Sequence, residues 1–308
     1  MQADVERLPV EQQVEIPTGA VWVVAGRSTA ASELLVGALR ERGVNAELIP
    51  PAQLSGLAGS EDVVLGRLDV QPTLDGVEDG IWELLRAARR GILVLNPASS
   101  LVACHDKLQT ALRLCRLGIP HPATAHVGWR TPPPDVEYPV VLKPRFGSWG
   151  RDVWLCESRR ELRRCLRRLR DRAWFQRQGV LVQALIPPAG FDLRLIVAGG
   201  QVVGAIERVA APGEWRTNIA LGGSRRRVEP TPDARVIATY AAAAVDGDVV
   251  GVDLLPLPDG RYVVLEVNGA VEFTHEYSLA DRDVFDEVAR VVAGGATALE
   301  ARALGSDP

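Results

Sequence analysis

A chain of 308 residues with 47% hydrophobic content can form two domains, or one large domain with a lid. Its formal net charge of −4 and its pI of about 5.7 give no general attraction to nucleic acid or to an anionic membrane, so we expect neither as a partner. Residues 1–19 are polar and acidic, unlike a secretory signal, and no apolar run reaches the roughly 18 residues of a membrane helix. These features predict a cytoplasmic protein and leave open a homo-oligomer.

The cysteines also indicate a reducing compartment. No two of them form a C-x-x-C pair of the kind used for zinc binding or redox chemistry. We therefore expect all four to be reduced and buried as small apolar residues. They are Cys104, Cys115, Cys156 and Cys165.

Alternating apolar runs and amphipathic segments predict a small parallel α/β unit in residues 1–96. Ser28 or Thr29 can cap its first helix. Gly26-x-Ser28 does not complete the G-x-G-x-x-G fingerprint, so a dinucleotide site receives little support. The predicted elements are strands at 20–26 and 92–96, an apolar run at 62–68, and helices at 29–42 and 77–90.

The next segment combines a long helix with a glycine-rich turn. The helix is predicted from Pro97 to about Leu117, and Gly118 ends it. A strand over 138–143 then leads into the glycine-rich turn at 147–150, and a second strand spans 153–156.

Residues 159–172 show the clearest helical periodicity. Apolar side chains recur at i, i+3, i+4 and i+7, namely Leu162, Cys165, Leu166 and Leu169. The opposite face carries seven arginines: Arg159, Arg160, Arg163, Arg164, Arg167, Arg168 and Arg170. An ordinary solvated face is the simpler interpretation, and a docking site for an acidic partner is the alternative.

The remainder of the chain alternates between strands and helices. A hairpin is predicted over 191–210, with its turn at Gly199-Gly200. The other predicted elements are a strand at 180–186, a polar loop at 211–233, and helices at 233–245 and 281–293, followed by a loose tail.

A second predicted hairpin carries two acidic residues that should face each other. Asp259-Gly260 lies between two apolar runs, which is a strong hairpin signal. If the turn is centred there, facing residues have numbers that sum to 519, so Asp253 lies opposite Glu266. Asn268 is two residues further along the same face. Two opposed carboxylates repel each other unless a cation lies between them, and this oxygen donor set is typical of Mg²⁺ or Mn²⁺. A solvated polar face on an edge hairpin is the alternative.

Two lysines and the glycine-rich turn add features of a phosphate site. Lys143 ends an apolar strand just before the turn, where glycines allow backbone N–H groups to approach phosphate. The spacing is not that of a P-loop. A plain hairpin with a surface lysine is the alternative. An exposed tryptophan such as Trp149 would be unusual at the tip of such a hairpin. Lys107, in the long helix, carries no information alone. Together with the carboxylates, these features are typical of phosphoryl transfer.

In this order, the motifs resemble the ATP-grasp superfamily, and in particular its RimK-like carboxylate–amine ligases, over residues 92–293. The resemblance implies an α/β (α+β) ATP-grasp fold with three parts: a small parallel N-terminal domain at 1–96, a lid subdomain with its linking helix at 97–180, and a C-terminal subdomain with the metal site at 181–308. The matching stretches are His105–Leu108, Gly118–Pro120, Val141–Pro144, Gly147–Arg151, Asp192–Arg194, Ala205–Arg208, Trp215–Asn218, Gly222-Gly223, Gly251–Asp253 and Leu265–Asn268.

The resemblance also implies roles for individual residues. ATP phosphates would contact Lys107 and Lys143 under a flap formed by Gly147, Ser148, Trp149 and Gly150. Adenine would be held through the backbone of Gln183, Ala184 and Leu185, and the ribose would lie near Asp192. Two Mg²⁺ (or Mn²⁺) ions would bind Asp253, Glu266 and Asn268, with Glu266 bridging. The acyl phosphate and an acidic substrate would be surrounded by Arg194, Arg208, Arg216 and Asn218.

The implied activity is ATP-dependent amide or isopeptide formation through an acyl phosphate. Three stretches look most like LysX-type ligases, which join an amino acid to the C-terminal glutamate of a small acidic carrier protein: Gly147–Arg151, the loop with Thr217-Asn218 and Gly222-Gly223, and Glu272-Phe273. Ribosomal-protein glutamate ligases are similar. We therefore expect ATP, an amino acid, and a carrier protein or peptide ending in glutamate as partners. A small-molecule peptide synthetase, a non-catalytic ATP-binding regulator, and a kinase that releases a phosphorylated product remain alternatives.

Overall fold

The computed structural model describes residues 19–304, and side chains within 19–295. The N-terminal part contains a parallel four-stranded sheet in the order β2-β1-β3-β4, as predicted. Its elements are β1 (Val21–Val24), α1 (Ala30–Glu41), β2 (Ala46–Ile49), α2 (Leu54–Leu57), β3 (Val63–Gly66), α3 (Ile81–Arg89) and β4 (Leu93–Leu95). Thr29 caps α1, because its side-chain oxygen accepts from the backbone N–H of Ser32 at 3.3 Å. The strand β2 was not predicted.

A second, antiparallel sheet has the order β5-β8-β6-β7. The predicted long helix before it is wrong in one respect, since extended backbone at Asp106 divides it into two helices. The Asp106 carboxylate caps the second helix through the N–H of Leu108 at 3.1 Å. The elements are α4 (Ala98–His105), α5 (Lys107–Arg116), β5 (Thr124–Val127), β6 (Val140–Pro144), β7 (Trp154–Cys156), α6 (Arg159–Leu169), α7 (Ala173–Gln178) and β8 (Val180–Ala184).

The third sheet is antiparallel and five-stranded, in the order β11-β10-β9-β12-β13. The hairpin turn at Gly199-Gly200 is confirmed. The segment predicted as a loop at 211–233 contains β11, and the last helix begins later and extends further than predicted, into the expected tail. The elements are β9 (Phe191–Ala198), β10 (Gln201–Val209), β11 (Ser224–Arg227), α8 (Pro232–Ala244), β12 (Val249–Pro256), β13 (Tyr262–Asn268) and α9 (Val284–Leu304).

The opposition of Asp253 and Glu266 is confirmed, although by a different route from the one predicted. Near the turn the facing residues sum to 518, because Pro256 pairs with Tyr262 around an odd-length loop. A β-bulge then inserts Leu265 as an extra residue on β13, and the pairs beyond it sum to 519. The bulge therefore restores the register at the acidic pair.

One hydrophobic cluster joins the N-terminal part of the described chain to its C-terminal part. This buried cluster contains residues of β1, α1 and β3 together with residues of β9, β10 and α9. The pairing of β8 with β5 and β6 ties residues 180–184 to the middle sheet. We therefore propose that the lid subdomain ends after Ala184 instead of at residue 180.

Cys104, Cys156 and Cys165 are buried free thiols, whereas the prediction of burial is wrong for Cys115, which is exposed. No helix within residues 19–304 is both long and apolar enough to cross a membrane.

Candidate active site

A deep cleft with an empty volume of about 1050 Å³ lies between the middle and C-terminal sheets; we call it the main cleft. Its upper wall comes from β6, β8 and the glycine-rich turn, and its floor from β9, β10 and β13. All ten residues predicted to bind a nucleotide line it: Lys107, Lys143, Gly147, Ser148, Trp149, Gly150, Gln183, Ala184, Leu185 and Asp192. Arg208, Arg216, Asn218 and Glu266 line it as well.

Two lysines converge on Glu266 at the inner end of the main cleft. The Lys107 Nζ lies 3.1 Å from Glu266 Oε2 and donates to the carbonyl of Gly147 at 2.7 Å. Burial alone would raise the pKa of Glu266, but the charges of Lys107 and Lys143 outweigh it and hold that pKa well below its usual range. Burial lowers the pKa of Lys143 to about 8, against the opposing pull of Glu266. The site therefore concentrates positive charge around one ionised carboxylate.

The first residue of α5 is fixed by contacts to the end of β6. The backbone N–H of Lys107 donates to the carbonyl of Arg145 at 3.1 Å, and Arg145 Nε donates to Asp106 Oδ1 at 3.0 Å. These contacts explain the break in the helix, because Asp106 must leave helical geometry to cap α5 and bind Arg145. The break aims Lys107 at the cleft.

The glycine-rich turn folds over the cleft and touches the polar loop after β10. Trp149 has a φ of +58°, a strained value for a side chain of this size, and is 42% exposed. Arg151 and Arg27 lie over its ring, 4.8 and 5.6 Å from the centroid. At Gly150, a Cβ would come within 2.8 Å of Asn218 Oδ1, so only glycine allows this approach. The turn is thus positioned as a flap.

The end of β8 forms another edge of the cleft. The N–H of Ala184 donates to the carbonyl of Ala123 at 2.8 Å, and that of Leu185 to the carbonyl of Pro139 at 3.3 Å. The Gln183 side chain donates to Thr124 Oγ1 at 2.9 Å. A base bound at this edge through backbone groups would therefore need the carbonyl oxygens, because these two N–H groups are already engaged.

Asp192, which lines the main cleft, and the buried Asp253 belong to one network with two arginines. Arg194 donates to both oxygens of Asp253 at 2.7 Å, and Arg208 joins Asp253 at 2.7 Å to Asp192 at 2.5 and 2.8 Å. Thr217 Oγ1 donates to Asp192 at 2.6 Å. Asp253 is fully buried. Its carboxylate faces two arginines in this structure, although Asp253 was predicted to be a metal ligand.

A second cavity, here called the inner chamber, adjoins the main cleft. The two cavities share Ser148, Trp149, Arg208, Asn218 and Glu266. The inner chamber is also lined by Arg194, a predicted catalytic residue, and by Asn268, a predicted metal ligand. With Arg208 and Asn218, every predicted catalytic residue except Arg216 lines this chamber. Arg216 lies at the main cleft, where its Nη1 donates to the carbonyl of Gly150 at 3.2 Å and its Nη2 pairs with Glu214 at 2.7 Å.

The residues present fit a divalent cation at Glu266 and Asn268. Glu266 is ionised, and Asn268, two residues further along β13, lines the same chamber and carries an amide oxygen. An oxygen donor set of this kind suits Mg²⁺. In the described part of the chain, no group of three or more His, Cys, Asp or Glu side chains is placed to hold a metal ion. The carboxylate of Asp253, a predicted ligand, is bound by Arg194 and Arg208.

Sequence reasoning gave no role to several residues that line the inner chamber. His105 is buried there, its Nδ1 lies 3.9 Å from Asp69 Oδ1, and its Nε2 lacks a partner in the described structure. Burial lowers the pKa of His105, which favours the neutral imidazole. Arg225 and Glu272 also line the chamber. His105 belongs to the stretch His105–Leu108 that carries the family resemblance, so a signal for it was present in the sequence. Arg225 lies on strand β11, which was not predicted.

The chain is similar to known proteins across this site. It matches the family described as RimK-like ATP-grasp domain over residues 105–291. A probable alpha-L-glutamate ligase 1 from Shewanella amazonensis is 31% identical over 80% of this chain and 85% of its own length. A glutamate–LysW ligase, ArgX, from Sulfurisphaera tokodaii is 29% identical over 78% and 86%. A probable alpha-L-glutamate ligase from Parasynechococcus marenigrum is 36% identical over 58% of this chain, but only 39% of its own length is covered.

Solved structures confirm the fold. The crystal structure of a RimK domain ATP-grasp protein from Sphaerobacter thermophilus superposes with a TM-score of 0.64 and 22% identity, covering 89% of this chain and 99% of that one. D-alanine–D-alanine ligase from Bacillus anthracis, complexed with ATP, gives a TM-score of 0.66 with 16% identity, covering 92% and 99%. At these identities the likeness concerns the fold alone.

Proposed function

This chain belongs to the RimK-like ATP-grasp family, and from that premise we propose that it is an ATP-dependent carboxylate–amine ligase that adds glutamate, or a similar amino acid, to a glutamate carboxylate of a carrier protein or peptide. The observation that carries the proposal is Glu266. It lies where the main cleft meets the inner chamber and is flanked by two lysines. Phosphates in the main cleft and an acid in the inner chamber would meet at this residue.

In this proposal ATP occupies the main cleft. The triphosphate lies at Lys107 and Lys143, under the flap at 147–150, and the adenine reaches the edge at 183–185. A compact ammonium group can neutralise phosphate charge without a fixed geometry. The nearby Asp192 would have to loosen its bonds to Arg208 and Thr217 before it could contact the ribose.

Glu266 and Asn268 would hold Mg²⁺ (or Mn²⁺), which when bound supplies charge neutralisation to the phosphates. Binding two ions would require a further ligand. Asp253 could serve only after Arg194 and Arg208 release it. The released arginines would then face the inner chamber, where the substrate carboxylate lies in this proposal.

The chemistry has two steps. A carboxylate oxygen of the acceptor attacks the γ-phosphorus of ATP, the bond from that phosphorus to the bridging oxygen of ADP breaks, and an acyl phosphate forms. The amine nitrogen then attacks the acyl carbon, the bond from that carbon to the phosphate oxygen breaks, and the amine loses a proton. Arg194, Arg208 and Asn218 would stabilise the oxyanion formed in the second step, with Arg216 fixing the flap. The flap excludes water that would otherwise hydrolyse the acyl phosphate.

Two observations support an amino acid as the amine and a protein or peptide as the acceptor. Relatives that match most of this chain are named alpha-L-glutamate ligase and glutamate–LysW ligase. The arginine face of α6 is exposed, which would suit an acidic macromolecular acceptor.

The proposed function is tested by ADP release from Mg-ATP. Amino acids are supplied as amines, peptides ending in glutamate as acceptors, and hydroxylamine as a trap for the acyl phosphate. We expect ADP release only when an acceptor carboxylate is present, with a hydroxamate formed in the trap. Tight ATP binding without release under any pairing would contradict the ligase function, and AMP release would contradict the acyl phosphate.

A further inference from the structure

A third cavity, here called the side pocket, lies between the start of α1 and the segment after β13. One wall is formed by Ser28, Thr29, Ser32 and Arg67. The other wall is shared with the inner chamber: Asp69, Trp149, Ala270 and Glu272 line both cavities. The side pocket therefore adjoins the inner chamber, where the amine would attack in the proposed function.

Arg67 is the unusual residue of the side pocket. Its side chain is 1% exposed, and two of its three nitrogens are used: Nε donates to Ser32 Oγ at 3.0 Å and Nη2 to the carbonyl of Val271 at 2.8 Å. The Nη1 is buried and has no partner anywhere in the described structure. A buried unpaired donor on a cation is costly, so an anionic ligand at this position would be strongly favoured.

The first turn of α1 adds to the attraction for an anion. The helix is 12 residues long, and its N-terminus carries partial positive charge and backbone N–H groups without partners in the helix. The remaining cation of the pocket, Arg27, is already neutralised, because its Nε lies 2.6 Å from Glu78 and its Nη2 lies 3.3 Å from Asp69. The free capacity for an anion is thus concentrated at Arg67.

The carboxylate of Glu272 lies directly beside the guanidinium of Arg67. Glu272 Oε1 is 3.4 Å from Arg67 Nη2, and the Glu272 side chain is 48% exposed. Glu272 faces the wall shared with the inner chamber, whereas Ser28 and Thr29 line only the side pocket. An adjacent donor and acceptor of opposite charge match a carboxylate and an ammonium group attached to the same carbon atom.

We propose that the side pocket binds the amino-acid substrate as an α-amino acid zwitterion. Its α-carboxylate accepts from Arg67 Nη1 and the first turn of α1, and its ammonium group lies at Glu272, facing the inner chamber. This assignment rests on the proposed function, because it names the position of the amine substrate of that same reaction. Trp149 lines all three cavities, so one flap residue covers the nucleotide, the transfer point and the amine together.

The test compares the best amino acid found in the wild-type assay with its α-amide, which lacks the α-carboxylate. In Glu272→Gln we expect the KM for the amino acid to rise about tenfold, as for loss of one charge-assisted hydrogen bond, with the KM for ATP unchanged. In Arg67→Lys the preference for the acid over the amide should fall about tenfold, since the Nη1 donor to the carboxylate is lost. Glu229→Gln is the matched control, because Glu229 also pairs with an arginine but lines none of the three cavities.

Unchanged KM and an unchanged preference in folded Glu272→Gln would overturn the assignment, even if Arg67→Lys does not fold. If no amino acid supports ADP release, the proposed function fails separately. The pocket is then tested by calorimetric titration of L-glutamate into the enzyme. Binding that Glu272→Gln weakens would support the pocket, and the absence of binding to the wild type would overturn it.

Discussion

Arg194 donates two hydrogen bonds of 2.7 Å to the carboxylate of Asp253. Asp253, which was predicted as a metal ligand, is therefore the buried counterion of an arginine in this structure. Arg208 makes a third contact with the same carboxylate. The strands place them together, because Arg194 on β9 and Glu266 on β13 are the two register partners of Asp253 on β12. One row across the sheet thus places the two carboxylates side by side, with the positive charge of Arg194 next to Asp253.

Asp253→Asn should destabilise the protein even without ATP or metal. Loss of the carboxylate would leave two largely buried arginines without their shared counterion, so we expect about 3–5 kcal/mol less free energy of unfolding. Urea denaturation of the apo protein measures this change. Asp259→Asn is the control, since Asp259 lies at the exposed turn of the same hairpin and bonds to Arg261. Wild-type stability in Asp253→Asn, combined with lost metal binding, would make this residue mainly a metal ligand.

Glu266→Gln should abolish turnover while the fold persists. The substitution removes the negative charge that Lys107 contacts and that would hold the cation, so we expect kcat to fall at least about 100-fold. Steady-state ADP release gives the rate, and circular dichroism checks the fold. Glu207→Gln is the control, because Glu207 is a strand residue of the same sheet that pairs with Arg226 and lines none of the three cavities. Turnover like that of the wild type would remove Glu266 from the metal site.

The affinity for ATP should fall as pH rises through about 8. Burial lowers the pKa of Lys143 to about 8, so in alkaline solution this lysine loses the charge that attracts phosphate. Calorimetry with a non-hydrolysable ATP analogue, from about pH 6.5 to about pH 9.5, measures the effect. In Lys143→Arg the guanidinium stays charged and the fall should be absent. Identical pH profiles for the two proteins would contradict this role of Lys143.

The same pKa has a consequence for stability. The folded protein releases the Lys143 proton near pH 8, whereas the unfolded chain releases it near the ordinary value of 10.5. The unfolded state therefore binds more protons between these values, and Lys143 should increase the free energy of unfolding as pH rises from about 8 to about 10.5. Below about pH 8 the buried positive charge of Lys143 lowers the free energy of unfolding, and a bound phosphate would offset this loss.

Local patterns in the sequence predicted individual elements better than they predicted contacts between distant parts of the chain. The opposition of Asp253 and Glu266 was derived from a two-residue turn, yet it depends on an odd-length loop and a bulge at Leu265 that offset each other. Neither is visible in a pattern of apolar residues. The exposed strand β11, four polar residues in a row, has no apolar alternation to reveal it. The break at Asp106 depends on Arg145, a partner 39 positions away.

The arginine face of α6 should attract an acidic acceptor. In the double variant Arg163→Ala/Arg167→Ala we expect the KM for a glutamate-rich peptide to rise about threefold to tenfold at low salt, with the KM for ATP unchanged. The difference should shrink as salt screens the charges. The apolar face of α6, with Leu162, Cys165 and Leu169, stays buried in both proteins.

The double variant Arg86→Ala/Arg89→Ala is the control for α6, because both arginines are exposed on α3, outside the three cavities. A KM for the peptide that is equal in both double variants would show that α6 is only a solvated face. A loss confined to the α6 variant would identify the lid as part of the acceptor site.

The most direct test of the acyl phosphate follows one oxygen atom. An acceptor peptide with ¹⁸O in its reactive carboxylate is ligated to the amino acid with Mg-ATP, and mass spectrometry locates the label. Attack on the γ-phosphorus followed by attack of the amine predicts that one ¹⁸O atom leaves in the inorganic phosphate and the other stays in the new amide. Label in AMP, or phosphate without label while amide forms, would contradict the proposed mechanism.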